Sequence, residues 1–481
     1  MKVLFVATES IPFVKTGGLA DVIGSLPVAL QQEGVDVRVI IPKHKSIEQH
    51  YQNQMTLKQI ISVPISGKER FCSIEEINVD GVHYYFVEND YYFCRDEVYG
   101  DAYQRDEAER FAYFSKAVLE SLPVLEYQPD IIHCHDWQTA LIPLFLRTHY
   151  ACDPFYMDVK TMFTIHSMQY QGIFPKDVLT EVLDLDWSYF TSDQLEFYGH
   201  VNYMKAGLLY ADRITTVSDS YAKAIQTTQC GCGLEGIVQQ RARDIVGIPC
   251  GVSRQMYHPN EDMYLYTRRG VYDWKADNKR FIQQTLSLPI REVPMLVTTS
   301  RLVEHKGMDV LLSIMGELLE EDIQFVVLGM GEERYEQALQ SWATRYPDKL
   351  SVQLTFSESL ARQLYAACDL FLMPSLSEPR GLSAMIAMSY EAVPVTRETG
   401  ALKDIVHSFD EESGEGNGFT FRKDHELIEE IKRGLYSYQD PFIWWLIQQN
   451  IKKSSFDWKQ ASFRYKALYD QVKRFSQVVS I

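Results

Sequence analysis

Apolar runs of strand length alternate with segments of helical periodicity along almost the whole chain. In the first half, six runs predict strands at residues 3–7, 37–41, 82–87, 131–134, 161–165 and 213–217. In the second half, five runs predict strands at residues 295–299, 324–328, 352–354, 370–373 and 392–395. Strands that are apolar throughout and separated by helices are typical of parallel sheets covered on both faces. The pattern therefore predicts an α/β protein.

The alternation is interrupted between residues 246 and 259, where glycine and proline recur. A chain of 481 residues is also longer than one compact core usually serves. We therefore predict two doubly wound, Rossmann-like domains, 1–247 and 248–455. A helical, tryptophan-containing segment, 456–481, is predicted to pack back on the first domain.

Composition narrows the range of partners. The net charge of −18 argues against a general affinity for nucleic acid or an anionic membrane, although a local cluster of Lys and Arg could still bind an anion. No apolar run approaches the ~20 residues that span a bilayer, and the start of the chain is too short and too soon acidic for a secretory signal. The eight scattered cysteines lack CxxC spacing, which favours reduced thiols over structural zinc. We expect a cytoplasmic protein without a metal or cofactor.

Two glycine-bearing loops each follow a predicted strand. The first, Lys15-Thr16-Gly17-Gly18-Leu19, precedes a predicted helix at 20–33. The second spans residues 377–382. Glycine permits close approach of a backbone to a ligand, and a helix N-terminus attracts anions. The first loop is therefore either an anion cradle or a simple turn with a solvated lysine. Two such loops favour one ligand held between two domains, as in an enzyme that handles an activated sugar.

The second predicted domain carries further candidates. Arg301 and Lys306 follow its first strand, where a guanidinium and an ammonium are suited to a diphosphate leaving group; the alternative is a solvated basic loop. Glu378 follows the fourth strand and either bonds sugar hydroxyls or supports a helix start. The amides of Gly381 and Leu382 open that helix. Thr399, in a similar turn after the fifth strand, is a weaker candidate.

Polar residues also end two strands of the first predicted domain. Asp136 and His166 follow neighbouring strands and are candidates for polar roles in a crevice, although a histidine there is more often structural. His133 and His135 share one face of a strand, so ligation of a metal by both is geometrically possible. No third ligand stands at a useful spacing, and we do not predict a metal site. The aromatic stretch 83–99 either binds a carbohydrate or packs in the core, and packing is the more common role.

Taken in order, these motifs resemble the bacterial glycogen synthases and plant starch synthases, which are retaining glycosyltransferases of the GT-B type. Six blocks carry the resemblance, which runs nearly end to end: VATESIPFVKTGGLADVIGSLP, DIIHCHDWQTALIP, FTIHSMQYQGIF, YMKAGLLYADRITTVS, SRLVEHKGMDVL and YAACDLFLMPSLSEPRGL. The resemblance implies two Rossmann-like domains facing each other across a cleft. It also implies transfer of glucose from ADP-glucose to the non-reducing end of an α-1,4-glucan such as glycogen.

The resemblance also assigns roles residue by residue. The implied catalytic residues are Asp136, His166, Arg301, Lys306 and Glu378. The implied contacts to ADP-glucose are Lys15, Gly17, Gly18, Asp21, Arg301, Lys306, Glu378, Gly381, Leu382 and Thr399. Arg301 and Lys306 would stabilise the leaving diphosphate, and Asp136 and His166 would lie beside the transferred glucose and the acceptor.

Five positions depart from the usual family pattern. They are Cys250 and Ser253 where the family has Asn and Asp, Arg380 where it has Cys, and Glu391 and Ala401 where it has Gly. We predict an active glycogen synthase. The alternatives are a catalytically weak paralogue that binds glucan or regulates a true synthase, and a GT-B transferase with an altered donor or acceptor, for which Arg380 would be responsible.

Overall fold

The structure of the protein is a computed structural model that describes residues 1–100, 105–253, 256–271 and 273–478. The chain forms two compact units. Unit 1 contains Met1–Gly251 and Trp458–Ile481, and unit 2 contains Val252–Asp457. Residues 479–481, the end of the predicted C-terminal helical segment, lie outside the described residues.

A nine-stranded sheet forms the centre of unit 1 and has the order β12-β11-β7-β6-β1-β2-β5-β4-β3. It is parallel except for the antiparallel edge formed by β3 and β4. Three short strands, β8, β10 and β9, make a separate antiparallel sheet. The strands are β1 (Lys2–Val6), β2 (Asp36–Pro42), β3 (Thr56–Ile65), β4 (Lys68–Val79), β5 (Val82–Glu88), β6 (Ile131–His135), β7 (Lys160–Ile165), β8 (Ile173–Pro175), β9 (Glu196–Phe197), β10 (His200–Asn202), β11 (Arg213–Thr216) and β12 (Ile245–Gly247).

Helices cover both faces of this sheet. Strand β1 shows why, because its side chains alternate between two separate buried clusters: Leu4 and Val6 enter one, Val3 and Phe5 the other. The helices up to residue 240 are α1 (Gly18–Gln32), α2 (Gln49–Gln52), α3 (Asp90–Phe93), α4 (Arg105–Val124), α5 (Leu141–Arg147), α6 (Val178–Glu181), α7 (Tyr203–Tyr210), α8 (Asp219–Ala224), α9 (Thr228–Gly231) and α10 (Glu235–Gln240).

Unit 2 contains a six-stranded parallel sheet with the order β15-β14-β13-β16-β17-β18, the doubly wound arrangement of a Rossmann fold. One buried apolar cluster runs through it. Its strands are β13 (Met295–Thr299), β14 (Gln324–Leu328), β15 (Leu350–Gln353), β16 (Leu370–Met373), β17 (Val393–Arg397) and β18 (Phe419–Phe421). Its helices are α11 (Trp274–Thr285), α12 (Met308–Leu318), α13 (Glu333–Arg345), α14 (Glu358–Ala367), α15 (Leu382–Ser389), α16 (Leu402–Ile405), α17 (Glu426–Gln439) and α18 (Pro441–Lys453).

The last helix, α19 (Trp458–Val478), belongs to unit 1 although unit 2 precedes it in the chain. Its buried side chains, Tyr469 among them, join the cluster on the Val3 and Phe5 face of the sheet. Lys466 Nζ donates to the carbonyl of Glu33 at 2.7 Å, just after the end of α1. The helix therefore completes one face of unit 1.

The predicted α/β class with parallel sheets is confirmed, and strands β13, β14 and β16 have the predicted bounds. Strand β15 was predicted at residues 352–354 and is observed at 350–353, so it begins two residues earlier than predicted. The β3–β4 hairpin was not predicted, because its exposed edge strand carries polar residues among the apolar ones. No helix among the described residues has the length and apolar character that crossing a membrane requires.

Candidate active site

The sheet topology of each unit explains where the sequence motifs lie. Strand β1 lies between β2 and β6, and β13 lies between β14 and β16. In a doubly wound sheet, the order in which the chain adds strands reverses between the two central strands. The crevice at the carboxyl ends of these two strands is where ligands bind. The loop at 15–19 and Asp136 follow β1 and β6 in unit 1. The loops at 300–307 and 377–382 follow β13 and β16 in unit 2.

The first glycine loop of unit 1 is held by a carboxylate that the sequence analysis did not single out. Glu9, which is buried just beyond β1, accepts hydrogen bonds at Oε2 from the Thr16 amide at 2.5 Å and from the Thr16 hydroxyl at 2.9 Å. Lys15 Nζ lies 3.1 Å from Oδ1 of Asp21, a buried residue in the first turn of α1. Lys15 is thereby fixed beside the start of the helix.

Gly17 is the N-cap of α1, and its backbone does not itself require glycine. Its φ of −158° is an extended conformation that any residue adopts. A Cβ at this position would have its nearest neighbour, Glu9 Oε1, 3.9 Å away. Neither the backbone nor the packing therefore requires glycine at this position, and the predicted contact of Gly17 with ADP-glucose stays a prediction. Gly18 begins the helix directly after it.

Asp136 and His166 contact each other at the ends of β6 and β7. The Asp136 carboxylate accepts a hydrogen bond from the backbone amide of His166, with 2.7 Å between Oδ1 and N. The φ of Asp136 is 59° and its ψ is 178°, a conformation that costs a non-glycine residue about 1–3 kcal/mol. Strain of this kind persists where the surrounding structure enforces it, commonly at functional sites. The structure therefore brings these two predicted residues together.

The two histidines considered as metal ligands have other partners. His133 uses both ring nitrogens, Nδ1 with the Tyr469 hydroxyl at 2.8 Å and Nε2 with the Thr164 hydroxyl at 2.5 Å. His135 Nδ1 lies 3.0 Å from His166 Nε2. Within the described ranges, no group of three or more His, Cys, Asp or Glu residues is arranged to hold a metal ion.

Tyr99, like Glu9, lies near the loop at 15–19, and no motif in the sequence predicted this position. Its hydroxyl lies 2.7 Å from that of Thr8, directly beyond β1. Burial and the nearby Glu9 carboxylate hold the pKa of the Tyr99 phenol well above its usual range. Most of the aromatic stretch at 83–99 packs instead, since Tyr84, Tyr92 and Phe93 are buried. The Tyr99 phenol lies near Glu9 and Thr16, and Glu9 is the carboxylate that holds the loop at 15–19.

In unit 2, an ion pair joins the loops that follow the two central strands. Lys306 Nζ lies 2.6 Å from Glu378 Oε2. The other Glu378 oxygen, Oε1, accepts from the Gly381 amide at 3.3 Å, just before α15. Burial alone would raise the pKa of this carboxyl, but Lys306, the Gly381 amide and Arg380 together lower it. Glu378 is therefore an anion at neutral pH, with Lys306 and the helix N-terminus beside it.

Close backbone contacts fix both of these loops. Gly307 has a φ of 78°, and a Cβ there would lie 2.2 Å from the Pro374 carbonyl. Gly400 has a φ of 47°, and a Cβ there would lie 2.1 Å from the carbonyl of Glu378. Only glycine fits at either position, and each glycine lets a neighbouring loop press against the segment 374–378.

The turn after β17 also contacts the segment that contains Glu378. The Ala401 amide donates to the Glu378 carbonyl at 2.9 Å, and the Thr399 hydroxyl donates to the Leu376 carbonyl at 3.0 Å. Since the Ala401 contact uses backbone only, alanine performs it as well as glycine does. The structure thus gives Thr399 a contact to protein, and its predicted contact to substrate stays a prediction.

Arg301 and Lys306 place two cations at this end of the sheet, and Lys306 is paired with Glu378. Between them in the chain, His305 is partly buried, and burial together with the Lys306 and Arg301 charges lowers its pKa to about 4. His305 is consequently neutral at pH 7, and the positive charge belongs to Lys306 and to the exposed Arg301. The two cations are suited to an anionic ligand group such as a diphosphate.

One departure from the family pattern, at residue 391, belongs to the framework. Glu391 follows the last residues of α15 in a left-handed conformation with a φ of 64°, which explains why glycine suits this position. Its carboxylate lies 2.9 Å from Arg269 and 3.4 Å from Lys452. Glu391 is thus a helix-end residue paired with two cations, and the effect of this departure on activity stays a prediction.

Two family models match the chain. Residues 2–240 match the starch synthase catalytic domain, and residues 285–439 match glycosyl transferases group 1. The glycogen synthase of Desulfitobacterium hafniense is 46% identical over 98% of this chain and 99% of its own. That of Anoxybacillus flavithermus is 45% identical over 98% of both chains.

Solved structures agree with these relatives. The catalytic domain of starch synthase IV from Arabidopsis thaliana, bound to ADP and acarbose, superposes with a TM-score of 0.91 and 29% identity, over 98% of this chain and 99% of that one. Sucrose-phosphate synthase from Thermosynechococcus elongatus superposes with a TM-score of 0.62 at 16% identity over 98% of both chains, which shows a shared fold. This chain is a GT-B glycosyltransferase and belongs to the glycogen and starch synthase family.

Proposed function

We propose that this protein is a glycogen synthase that transfers glucose from ADP-glucose to the non-reducing end of an α-1,4-glucan, with retention of the anomeric configuration. The observation that carries the proposal is the Lys306–Glu378 ion pair at the N-terminus of α15, with Arg301 following the adjacent strand. The ADP and acarbose bound to the Arabidopsis neighbour support the choice of donor and acceptor.

The unit 2 residues act on the leaving group in this proposal. As the bond between glucose C1 and the β-phosphate oxygen breaks, negative charge grows on the diphosphate. Arg301, Lys306 and the N-terminus of α15 at Gly381 and Leu382 stabilise that charge. Glu378 orients Lys306 and accepts hydrogen bonds from sugar hydroxyls.

The unit 1 residues act on the transferred glucose and the acceptor. Lys15, Gly17 and Gly18 shape the donor site, with Asp21 holding the lysine. Asp136 and His166 contact the glucose and the acceptor hydroxyl, and the hydrogen bond from the His166 amide to the Asp136 carboxylate holds the two residues together. A new bond forms between C1 and the acceptor oxygen, and the proton of that hydroxyl passes to the departing phosphate. The reaction is thereby balanced in atoms and charge.

We place this reaction in the cytoplasm. The described residues contain no disulfide bond among the eight cysteines, which supports that placement because reduced cysteines are usual in a reducing compartment.

The test is incorporation of labelled glucose into glycogen by the purified protein, with ADP-glucose and UDP-glucose compared in parallel. We expect turnover with ADP-glucose. Turnover with UDP-glucose alone would move the assignment to a transferase with an altered donor. A folded protein that binds glycogen but transfers from neither donor would favour the catalytically weak paralogue.

A further inference from the structure

A buried histidine next to the proposed site has no assigned role. His135 ends β6 and is fully buried, and its Nδ1 lies 3.0 Å from Nε2 of His166, which is also buried. The ring of His135 contacts the rings of Phe5 and His133, with centroids 5.1 and 4.1 Å away. The ring of His135 is therefore held by its contacts with Phe5 and His133 and by its hydrogen bond with His166.

The second nitrogen of His135 restricts the possible arrangements of protons. Nε2 of His135 is buried and has no hydrogen-bond partner among the described residues. Burial also lowers the pKa of His135 to about 3, so the ring is neutral at pH 7 and carries one proton. That proton is either on Nδ1, facing His166, or on Nε2, where no described residue accepts a hydrogen bond.

A proton on Nδ1 of His135 costs less free energy than a proton on Nε2. A proton on Nε2 would leave a buried N–H without an acceptor, whereas a proton on Nδ1 leaves only an unused lone pair. Buried donors without acceptors are the rarer of the two in native proteins. With its proton on Nδ1, His135 donates to His166, and Nε2 of His166 is the acceptor.

We propose that His135 is a positioning residue that donates a hydrogen bond from Nδ1 to His166 and holds His166 as the tautomer protonated on Nδ1. The proposal rests on the proposed function insofar as His166 is taken to contact the substrate. Asp136 fixes the backbone of His166 and His135 fixes its ring, so the consecutive residues 135 and 136 orient it together. His166 then offers the acceptor sugar an N–H donor.

A matched pair of variants separates the hydrogen bond from the packing. Asn and Leu have the same shape, and both lose the imidazole, but Asn can place an N–H where Nδ1 of His135 stands. We expect H135L to lower kcat about tenfold or more with KM for ADP-glucose changed less than twofold, and H135N to recover most of the loss. Equal kcat values for the two folded variants would overturn the proposal.

A direct measurement tests the tautomer without any activity assay. In ¹⁵N-labelled wild-type protein, with the His166 signals assigned by their absence in H166Q, we expect a protonated Nδ1 and an unprotonated Nε2. A protonated Nε2 on His166 would overturn the proposal even if the enzyme is fully active. The expected pattern in a protein without transferase activity would support the proposal while the proposed function fails.

The neighbouring histidine provides the control. His133 lies on the same face of β6 and is equally buried, but it bonds Tyr469 and Thr164 rather than His166. We expect H133N to leave the ¹⁵N pattern of His166 unchanged. A change as large as that in H135L would contradict the proposal, because it would show general loosening of the sheet. Should H135L fail to fold, the wild-type spectrum still decides the question.

Discussion

The ammonium of Lys306 lies 2.6 Å from a carboxylate oxygen of Glu378, and this ion pair joins the two loops that follow the central strands of unit 2. The pair is mostly buried, with 18% of the lysine side chain and 8% of the glutamate side chain exposed. Each partner therefore fixes the other in a conformation that a solvated side chain would not keep.

Replacing Lys306 with alanine is expected to lower kcat about a hundredfold or more, because it removes a charge that stabilises the leaving diphosphate. Glucose transfer at saturating ADP-glucose is the measurement. The exposed Lys423→Ala variant, in the same unit, is the control and should retain full activity. An unchanged kcat in a folded Lys306→Ala protein would remove Lys306 from the mechanism.

The pKa of Glu378 gives a pH dependence of stability. Its folded-state pKa is lowered from the ordinary value of 4.5, so the ionised carboxylate contributes stability above pH 4.5. This contribution is lost as the pH falls through the lower folded-state pKa. We expect the difference in unfolding free energy between the wild type and Glu378→Gln to shrink below pH 4.5, as measured by urea unfolding. A difference that is constant between pH 7 and pH 3 would contradict the expectation.

Two substitutions at Glu391 should differ in stability rather than in activity. Ala keeps the left-handed strain and loses the contacts to Arg269 and Lys452, whereas Gly loses the same contacts and relieves the strain. We expect Glu391→Gly to be more stable than Glu391→Ala by about 1 kcal/mol in chemical denaturation. Both should transfer glucose within twofold of the wild-type rate. A tenfold loss of activity in the glycine variant would show instead that Glu391 acts on the donor.

Glu9 is expected to act through the loop at 15–19. Alanine at this position would leave the amide and the hydroxyl of Thr16 without their acceptor, and kcat/KM for ADP-glucose should fall about tenfold. Gln keeps an acceptor oxygen at nearly the same place and should retain more activity than Ala. Equal losses in the two variants would show that the charge of Glu9, and not its hydrogen bonds, is what matters.

Arg380 adds positive charge close to Glu378, as its contribution to lowering the Glu378 pKa shows. We expect Arg380→Cys to raise KM for ADP-glucose a few-fold with little change in kcat, since an anionic donor loses part of its attraction. Titration with ADP alone would show the same weakening. Higher activity in Arg380→Cys would instead mark the arginine as a degenerative change.

The sequence predicted those parts of the protein that depend on local pattern. Apolar strands such as β13 and β16 were predicted because parallel strands are buried along their whole length. Lys306 and Glu378 were both named as candidate site residues. The contact between them was not predicted, since 72 residues separate them in the chain. The contacts of Glu9 with Thr16 and of His135 with His166 were not predicted, because they depend on partners that the fold brings close.

The topology of unit 1 also has a consequence for synthesis on the ribosome. Helix α19 covers one face of the unit 1 sheet but is translated after all of unit 2. The segment Val252–Asp457 is continuous and can fold as soon as it leaves the ribosome, whereas the Val3 and Phe5 face stays partly exposed until α19 has been synthesised. A fragment that stops at Gly251 would expose that apolar face, and we expect it to recruit chaperones or aggregate. Unit 1 is thus the first unit to be synthesised and the last to complete its fold.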